Sequence, residues 1–260
     1  MIVKEGMIFC LHFKNGKAFA VKGANKNCNM KMKTLALSAI VLLGFTYSSN
    51  AQSAIIRGGV NLANVSVTDN GRVDDANSLT SFQVGIIGDL QLGGPVYLQP
   101  GILFTGKGSK VQSGDPSSYP YYKATSNPKY IEVPVNVVLK APIGTSAKFF
   151  AGAGPYIAVG VAGKNKTEGK NIVGVGFTHE NEIEFSNDDP TTLSYEEGAG
   201  LGIIKRFDYG LNGTAGIEGK SVVLSVNYGL GLAKLQSGGN SSADNNNKHR
   251  VLSFTVGIRL

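Results

Sequence analysis

Residues 251–260 are Val251-Leu252-Ser253-Phe254-Thr255-Val256-Gly257-Ile258-Arg259-Leu260. Apolar residues occupy every even position of this segment, whereas most of the odd positions hold small or polar residues. Successive side chains of a β-strand point to opposite faces of the sheet. The segment therefore predicts a strand with one apolar face and one small or polar face.

The same two-residue period recurs along the chain, and no window after residue 52 shows sustained apolar recurrence at three and four residues. Eight segments fit the pattern. The predicted strands are Arg57 to Val67, Phe82 to Leu92, Val96 to Lys107, Tyr130 to Lys140, Lys148 to Val161, Arg206 to Glu218, Ser221 to Leu232 and Val251 to Leu260. The sequence therefore predicts an all-β fold.

The connections between these strands alternate in length. Tight turns are predicted at Gly93-Gly94, at Ala141 to Ser146 and at Glu218-Gly219-Lys220, and long polar loops near 68–80, 109–128, 163–204 and 236–248. In an up-and-down barrel, the tight turns would all lie at one end and the long loops at the other. Short periplasmic turns and long external loops are typical of outer-membrane barrels. We therefore predict an eight-stranded antiparallel up-and-down transmembrane β-barrel.

A soluble lipocalin-like barrel is the structural alternative, since it also has eight up-and-down strands. The polar face decides between them, and the charged residues that we single out on it are Arg57, Glu132, Arg206, Asp208 and Arg259. A soluble barrel is apolar inside, and a buried ion without a partner costs several kcal/mol. A membrane barrel has the opposite arrangement, apolar outside and polar inside. We favour the membrane barrel and predict that these five residues form an ion-pair network in its lumen.

An eight-stranded barrel has an interior only wide enough for side chains. The sequence therefore argues against a porin. An ion-pair network that fills the lumen is favoured over a transport pathway.

The basic residues of the chain are concentrated near its start. Residues 1–51 hold 7 of the 25 Lys and Arg and 1 of the 18 Asp and Glu, so 18 basic and 17 acidic residues follow. No basic stripe with interleaved aromatics remains, and this argues against nucleic-acid binding. Both cysteines, Cys10 and Cys28, also lie in this part, so residues 52–260 offer no disulfide and no thiolate metal site.

Residues 30–51 have the three parts of a secretory signal peptide. Met30-Lys31-Met32-Lys33 is basic, Leu35 to Phe45 is apolar, and Ser49-Asn50-Ala51 offers a cleavage site between small residues. The apolar run is too short to span a membrane as a helix. We expect cleavage after Ala51, a true start at Met30 or Met32, a non-native upstream extension over 1–29 and a barrel domain over 52–260.

With these strands placed, the chain resembles the PorT-like family of eight-stranded outer-membrane barrels common in the Bacteroidetes. The likeness covers nearly all of residues 54–260. The motifs that carry it, in order, are Gly58-Gly59-Val60-Asn61-Leu62, Leu98-Gln99-Pro100-Gly101-Ile102-Leu103-Phe104 with Gly106-Lys107-Gly108, Tyr130-Ile131-Glu132-Val133-Pro134, Ala153-Gly154-Pro155-Tyr156 and Phe207-Asp208-Tyr209-Gly210. The resemblance implies an integral outer-membrane protein, in contact with outer-membrane lipid and inserted by the barrel-assembly machinery. Some family members act in protein secretion. One departure is Leu260, where such barrels usually end in an aromatic residue.

The motifs of catalytic and cofactor sites are incomplete in this sequence. The run Gly101-x4-Gly106-Lys107 lacks the Ser or Thr of a phosphate-binding loop, because Gly108 follows. His12, His179 and His249 are too scattered for a metal cluster. We predict no catalytic residue, no cofactor and no metal site, and therefore not an enzyme. A surface lipid acyl hydrolase with His249 as its base is the enzyme alternative.

Function is therefore expected in the long loops. Tyr119-Pro120-Tyr121-Tyr122 and the acidic third loop are candidate contact surfaces for a partner protein. The acidic residues Glu180, Glu182, Glu184, Asp188 and Asp189 favour a solvated loop, with calcium binding as an alternative. Two roles stay open from the sequence, a structural or interaction barrel and an accessory factor in secretion across the outer membrane.

Overall fold

The computed structural model describes residues 10–14, 17–21, 52–66, 68–69, 72–73, 78–117, 120–170, 174–186, 203–235 and 248–260. The chain divides into two units, residues 1–51 and 52–260. In the first unit, β1 (Cys10–Lys14) pairs antiparallel with β2 (Lys17–Val21). The predicted signal peptide and its candidate start residues lie outside the described residues.

The second unit is built from β-strands. Their bounds are β3 (Gln52–Ser66), β4 (Thr68–Asp69), β5 (Arg72–Val73), β6 (Leu79–Gly93), β7 (Val96–Gly106), β8 (Ser109–Ser113), β9 (Tyr121–Ile143), β10 (Ala147–Lys170), β11 (Gly176–Glu182), β12 (Phe207–Glu218), β13 (Val222–Gly231) and β14 (Lys248–Arg259). Among the described residues, no helix is long and apolar enough to cross a membrane.

Eight of these strands close into a ring in the order β3-β6-β7-β9-β10-β12-β13-β14, and β14 pairs back onto β3. Every pairing in the ring is antiparallel. A closed ring leaves no strand edge in lipid, where an unpaired amide group would find no partner. The predicted eight-stranded antiparallel barrel is confirmed.

The pleat of each strand separates an apolar outer face from a mixed inner face. In β9 the even positions from Tyr130 to Lys140 are buried and the odd positions from Ile131 to Leu139 are exposed. β14 follows the same rule, because Ser253 and Thr255 are buried whereas Phe254 is exposed. The exposed residues of the ring are mostly Val, Ile, Leu, Phe and Tyr. The outer surface of the barrel is therefore an apolar band, as the alternation predicts.

The predicted tight turns lie at one end of the barrel. Gly94 and Gly144 have φ of 52° and 66°, a left-handed conformation that glycine adopts without steric penalty. The β12–β13 turn is closed by the hydrogen bond from Gly219 N to Val222 O, 2.8 Å long. The three short turns, β6–β7, β9–β10 and β12–β13, therefore lie at the same end of the barrel.

Two of the predicted long loops contain more strand than the sequence indicated. β8 pairs with residues 122–126 of β9, and β11 pairs with residues 164–170 of β10. The β9–β10 hairpin itself continues to the pair Lys170 and Tyr121. A four-stranded extension of the barrel, here called the external sheet, therefore consists of β8, residues 121–129 of β9, residues 162–170 of β10 and β11. The long polar segments over 109–128 and over the first part of 163–204 therefore include paired strands, because their polar residues continue the backbone pairing of the barrel strands.

Candidate functional site

The barrel lumen near the short turns holds a group of four charged residues, here called the inner ion cluster: Asp89, Lys140, Glu218 and Arg259. Lys140 Nζ lies 2.6 Å from Asp89 Oδ2 and 2.6 Å from Glu218 Oε2. The Arg259 guanidinium lies 2.6 Å from Glu218 and 3.2 Å from Asp89. Two cations therefore match two carboxylates. Gln99 donates a further hydrogen bond of 3.0 Å to Asp89.

An apolar layer lies against this cluster in the lumen. Its buried members are Ile55, Ile87, Leu103, Val138, Phe150 and Val223, with Tyr97 packed against them. Lys140 Nζ lies over the Tyr97 ring, 4.2 Å from its centroid. The cavity beside this layer has a volume of only about 10 Å³. The layer closes the lumen to anything larger than a water molecule.

A second group of charges, the outer ion cluster, lies farther along the lumen and comprises Lys107, Glu132 and Asp208. Lys107 Nζ lies 2.8 Å from Glu132 Oε2 and 2.8 Å from Asp208 Oδ2. The Tyr156 hydroxyl donates a 3.1 Å hydrogen bond to Asp208, and Asn212 donates a 2.9 Å hydrogen bond to Glu132. The ammonium also lies 4.0 Å from the centroid of the Tyr156 ring. A buried lysine is thus held by two carboxylates and one aromatic face.

Arg57 lies between the two clusters. Its guanidinium donates a 3.4 Å hydrogen bond to Asn227 Oδ1, and it lines a cavity of about 20 Å³ together with Lys107 and Glu132. That volume holds roughly one water molecule. The positive charges of Arg57 and Lys107 therefore balance the negative charges of Glu132 and Asp208 in this part of the lumen.

The five residues predicted for the lumen network have different positions in the structure. Glu132 and Asp208 belong to the outer ion cluster, Arg259 belongs to the inner one, and Arg57 lies between them. Arg206 does not join them. It is exposed and donates a 3.3 Å hydrogen bond to the Phe185 carbonyl. The alternation of β12 does not extend to Arg206, because the strand begins at Phe207.

Sequence reasoning did not single out the lysines that organise both clusters, nor Asp89. Lys107 shares the odd, inward register of Leu103 and Thr105, but it follows the last residue of β7 and was interpreted as a strand end. Asp89 shares the inward register of Ile87. Both residues could have been found from the sequence, because each lies an even number of positions from an inward-facing residue of its strand. The alternation does not indicate, in contrast, which charged side chains meet inside the lumen.

The outer mouth of the lumen is covered by an apolar cap. Val65, Ile183, Ile204 and Leu235 form a buried cluster, and Phe185 packs against it. Backbone hydrogen bonds hold the segments of the cap together, from Ile204 N to Glu184 O at 3.0 Å and from Lys205 N to Leu235 O at 2.7 Å. Phe185 also packs edge-on against Tyr130, with ring centroids 5.9 Å apart. The described residues therefore fill the barrel from the short turns to the cap.

His249 lies beneath this cap. It is buried, and its Nε2 lies 3.3 Å from the Tyr130 hydroxyl. The two rings pack edge to face with centroids 5.4 Å apart. This position is inside the barrel, away from its lipid-facing surface. The candidate base of a surface acyl hydrolase is therefore enclosed among lumen side chains.

The acidic third loop is described in part. Glu180 Oε1 lies 2.6 Å from Lys164 Nζ, and both side chains are well exposed. Within the described part of the chain, no group of three or more His, Cys, Asp or Glu is arranged to hold a metal ion. Asp188, Asp189 and Tyr119 lie outside the described residues.

The fold and the filled lumen define a closed transmembrane β-barrel with an apolar outer face. The chain belongs to the outer membrane protein beta-barrel domain family, whose sequence model matches residues 49–237. The protein is accordingly located in the outer membrane.

Solved structures with a similar fold include three other outer-membrane or surface proteins. The attachment invasion locus protein Ail of Yersinia pestis is 13% identical over 80% of this chain and 99% of that chain, with a TM-score of 0.36. Neisserial surface protein A is 11% identical over 81% and 99%, with a TM-score of 0.37. OprG from Pseudomonas aeruginosa is 12% identical over 81% and 96%, with a TM-score of 0.36. No curated protein sequence matches the chain.

Proposed function

We propose that this protein is a non-conducting outer-membrane barrel that anchors the external sheet, and that this sheet binds another macromolecule at the cell surface. The observation that carries the proposal is the length of the β9–β10 hairpin. β9 has 23 residues and β10 has 24, whereas β12 and β14 have 12 each. Residues 121–129 alone add about 30 Å of strand at about 3.3 Å per residue.

The external sheet offers a polar, charged surface. On its outward face, Lys123 Nζ lies 3.0 Å from Glu168 Oε2, and Lys166 Nζ lies 2.6 Å from Glu168 Oε1. All seven residues of the edge strand β11 are exposed. An exposed strand edge is a recurrent surface for protein recognition. A rigid sheet also loses less conformational entropy on binding than a flexible loop would.

Filling of the lumen supports the non-porin part of the proposal. Both ion clusters, the apolar layer and the cap lie in the path of any solute. Planar-bilayer recordings test this part. We expect no stable conductance steps from the purified protein, and a large, reproducible open state would overturn the proposal.

A variant with a shortened external sheet tests the binding role. Ser109 pairs with Ser126, and Asn165 pairs with Asn181. Replacing 110–125 and 166–180 by Asn-Gly turns would therefore join paired residues and leave the ring of eight strands intact. We expect surface cross-linking on whole cells to capture a defined component with the wild-type protein and to lose it with this variant. Capture of the same component by both proteins would exclude the external sheet as the binding element.

We also propose that the chain is PorT-like, of Bacteroidetes type, and not an enzyme. The five ordered motifs support the first point, and the enclosed position of His249 supports the second. An accessory role in secretion is the second candidate that the resemblance brings. A deletion strain tests the secretion role. Disappearance of secreted proteins from its culture medium would favour that role over a purely structural one.

A further inference from the structure

The edge strand β11 is paired on one side only among the described residues. It is the last strand of its sheet, and its neighbour there is β10. Just beyond the strand, Ile183 N donates a 2.9 Å hydrogen bond to Gly163 O. Bonded and non-bonded residue pairs alternate along an antiparallel ladder. The odd residues of β11 therefore direct their backbone groups toward β10, and its even residues direct theirs to the open edge. The even residues are Gly176, Thr178, Glu180 and Glu182.

The same edge binds an extended segment of this chain just beyond β11. Ile204 N donates a 3.0 Å hydrogen bond to Glu184 O, and Ser186 N donates a 3.1 Å hydrogen bond to Ile204 O. Glu184 and Ser186 are even residues too, so these bonds lie on the side that faces away from β10. All seven residues of β11 itself are exposed. In the part of the chain that the structure describes, the edge of β11 is therefore a row of open backbone donors and acceptors, a template for another strand.

The open edge is acidic on its outward face. The register places Glu182 opposite Lys164. That ammonium already pairs with Glu180 at 2.6 Å. The next cation of β10, Lys166, pairs with Glu168 at 2.6 Å. Among the described residues, the carboxylate of Glu182 is therefore left without an ion pair of its own, and β11 has no Lys or Arg to balance it.

The opposite face of β11 carries no carboxylate. Its residues are Phe177, His179 and Asn181. The Phe177 ring lies over Gly169 of β10, where a Cβ atom would meet it, and 48% of Phe177 is exposed. A strand added at the edge would therefore have carboxylate neighbours on one face and an aromatic neighbour on the other.

We propose that β11 binds an extended segment of another protein in which basic residues alternate with apolar residues. The inference rests on the proposed role of the external sheet and names the chemistry of its partner. The backbone of the segment pairs with Thr178, Glu180 and Glu182, as in recognition by strand addition. Its basic side chains lie beside the two carboxylates, about 5 Å away across the ladder, where opposite charges are stabilising. A second copy of β11 fits this edge poorly, because it would bring its own carboxylates.

Titration of the purified full-length protein in non-ionic detergent tests the site. The probes are a peptide of alternating lysine and valine, the peptide with glutamate in place of each lysine, and a peptide of the first composition with all its lysines at one end. We expect the alternating basic peptide to bind most tightly. We expect Glu182→Gln to weaken its binding by up to about fivefold, the effect of one cross-strand charge pair.

Thr178→Pro separates strand addition from attraction between charges. Proline has no amide hydrogen to donate at the open edge, whereas the bonds from β11 to β10 come from the odd residues. We expect this variant to bind the alternating basic peptide about tenfold more weakly, the effect of one lost hydrogen bond. Thr178→Val keeps the amide hydrogen and should bind as the wild-type protein does. The same peptide with methylated backbone nitrogens should also bind weakly, and this probe leaves the protein unaltered.

Equal binding of the alternating peptide and the peptide with its lysines at one end would overturn the inference, because diffuse attraction would explain both. Equal binding of the alternating peptide and its methylated form would overturn it as well. Self-association that Thr178→Pro abolishes would replace the basic segment by a second copy. Loss of the cell-surface cross-link in the shortened variant, with full peptide binding by Thr178→Pro, would overturn the inference and leave the proposed function standing. Capture of the same surface component by the wild-type and the shortened protein would instead overturn the proposed function.

Discussion

Lys140 Nζ lies 2.6 Å from Asp89 Oδ2, although their strands, β9 and β6, are not neighbours in the barrel. The pair therefore connects two strands of the lumen wall that are separated by β7, and Lys140 reaches Glu218 on β12 past β10 in the same way. Contacts of this kind connect strands that backbone hydrogen bonds do not join. These contacts stabilise the ring from inside the lumen, and they leave no path for a solute.

Removal of Lys140 should destabilise the barrel strongly. In Lys140→Met, the carboxylates of Asp89 and Glu218 share one close cation, Arg259, and removal of one partner from a buried ion pair costs about 3–5 kcal/mol. Because the chain has no tryptophan, urea unfolding in detergent is best followed by circular dichroism. Lys148→Gln is the control, since its ammonium is exposed and lies 4.0 Å from Glu218. A similar loss in both variants would contradict the expectation.

Lys107 and Asp208 should be coupled more strongly than an ion pair on the external sheet. A double-mutant cycle with Lys107→Gln and Asp208→Asn should give a coupling free energy of about 1–3 kcal/mol, since these groups are in contact and buried. The matched cycle uses Lys123→Gln and Glu168→Gln, whose side chains are each 28% exposed. Partly exposed pairs typically contribute about 0.2–1 kcal/mol. Equal couplings in the two cycles would argue against a stronger ion pair in the buried outer ion cluster.

Glycines on the inner face of β12 make room for aromatic rings. A Cβ atom at Gly210 would meet the Leu230 carbonyl oxygen and the Tyr156 ring, and one at Gly216 would meet the Leu224 carbonyl oxygen and the Phe150 ring. Nothing lies within 4 Å of one at Gly213. Overpacking typically costs about 1–3 kcal/mol. We therefore expect Gly210→Ala and Gly216→Ala to lower the free energy of unfolding by about that amount. Gly213→Ala should leave it within about 0.5 kcal/mol, and a loss as large there would refute the steric explanation.

The period-two pattern predicted the barrel because each strand is in contact with two different environments. Lipid selects Val, Ile, Leu and aromatic residues for one face, and the narrow lumen selects small or polar residues for the other. Positions such as Phe254 and Ser253 show this contrast along a single strand. The strand number and the side of the tight turns followed from the same pattern. These features depend on local sequence, so they could be predicted.

The lumen partners could not be predicted, because they depend on which strands lie opposite each other. Arg259 was singled out, but its partners Asp89 and Glu218 lie 170 and 41 positions away in the chain. The external sheet was missed for another reason. Its outward positions are polar and its inward ones are small, as in Lys123-Ala124-Thr125-Ser126. The apolar alternation that identifies a strand is therefore absent, although the backbone pairing continues.

An arginine on the lipid-facing surface should destabilise the barrel according to its depth. Val135 is exposed near the middle of the apolar band, whereas Thr125 lies in the same outward register of β9 within the external sheet. Arginine at the bilayer midplane costs about 2–4 kcal/mol. We expect Val135→Arg to lose about that much in unfolding from lipid vesicles, and Thr125→Arg less than about 1 kcal/mol. Equal effects would contradict a membrane boundary between the two positions.

The pairing of β10 with β11 should weaken at acid pH. The Lys164 ammonium donates a hydrogen bond to the Glu180 carboxyl and attracts its negative charge. Both effects lower the pKa of Glu180 below its ordinary value. Since the folded state has the lower pKa, the pair stabilises the external sheet above the unfolded pKa of about 4.3. That contribution is lost as the pH falls through the folded value.

Hydrogen exchange at the β11 amides, corrected for the intrinsic rate at each pH, measures this effect. We expect the protection of these amides to stay constant from neutral pH down to the ordinary pKa of about 4.3 and to fall below it in the wild-type protein, as the carboxyl takes up its proton. Lys164→Gln should show lower protection and a weaker pH dependence, because Glu180 loses the ammonium that hydrogen-bonds to it at 2.6 Å. An identical pH profile in both proteins would show that backbone pairing alone holds β11, since the substitution and acid both remove the attraction of Lys164 for the carboxylates of β11.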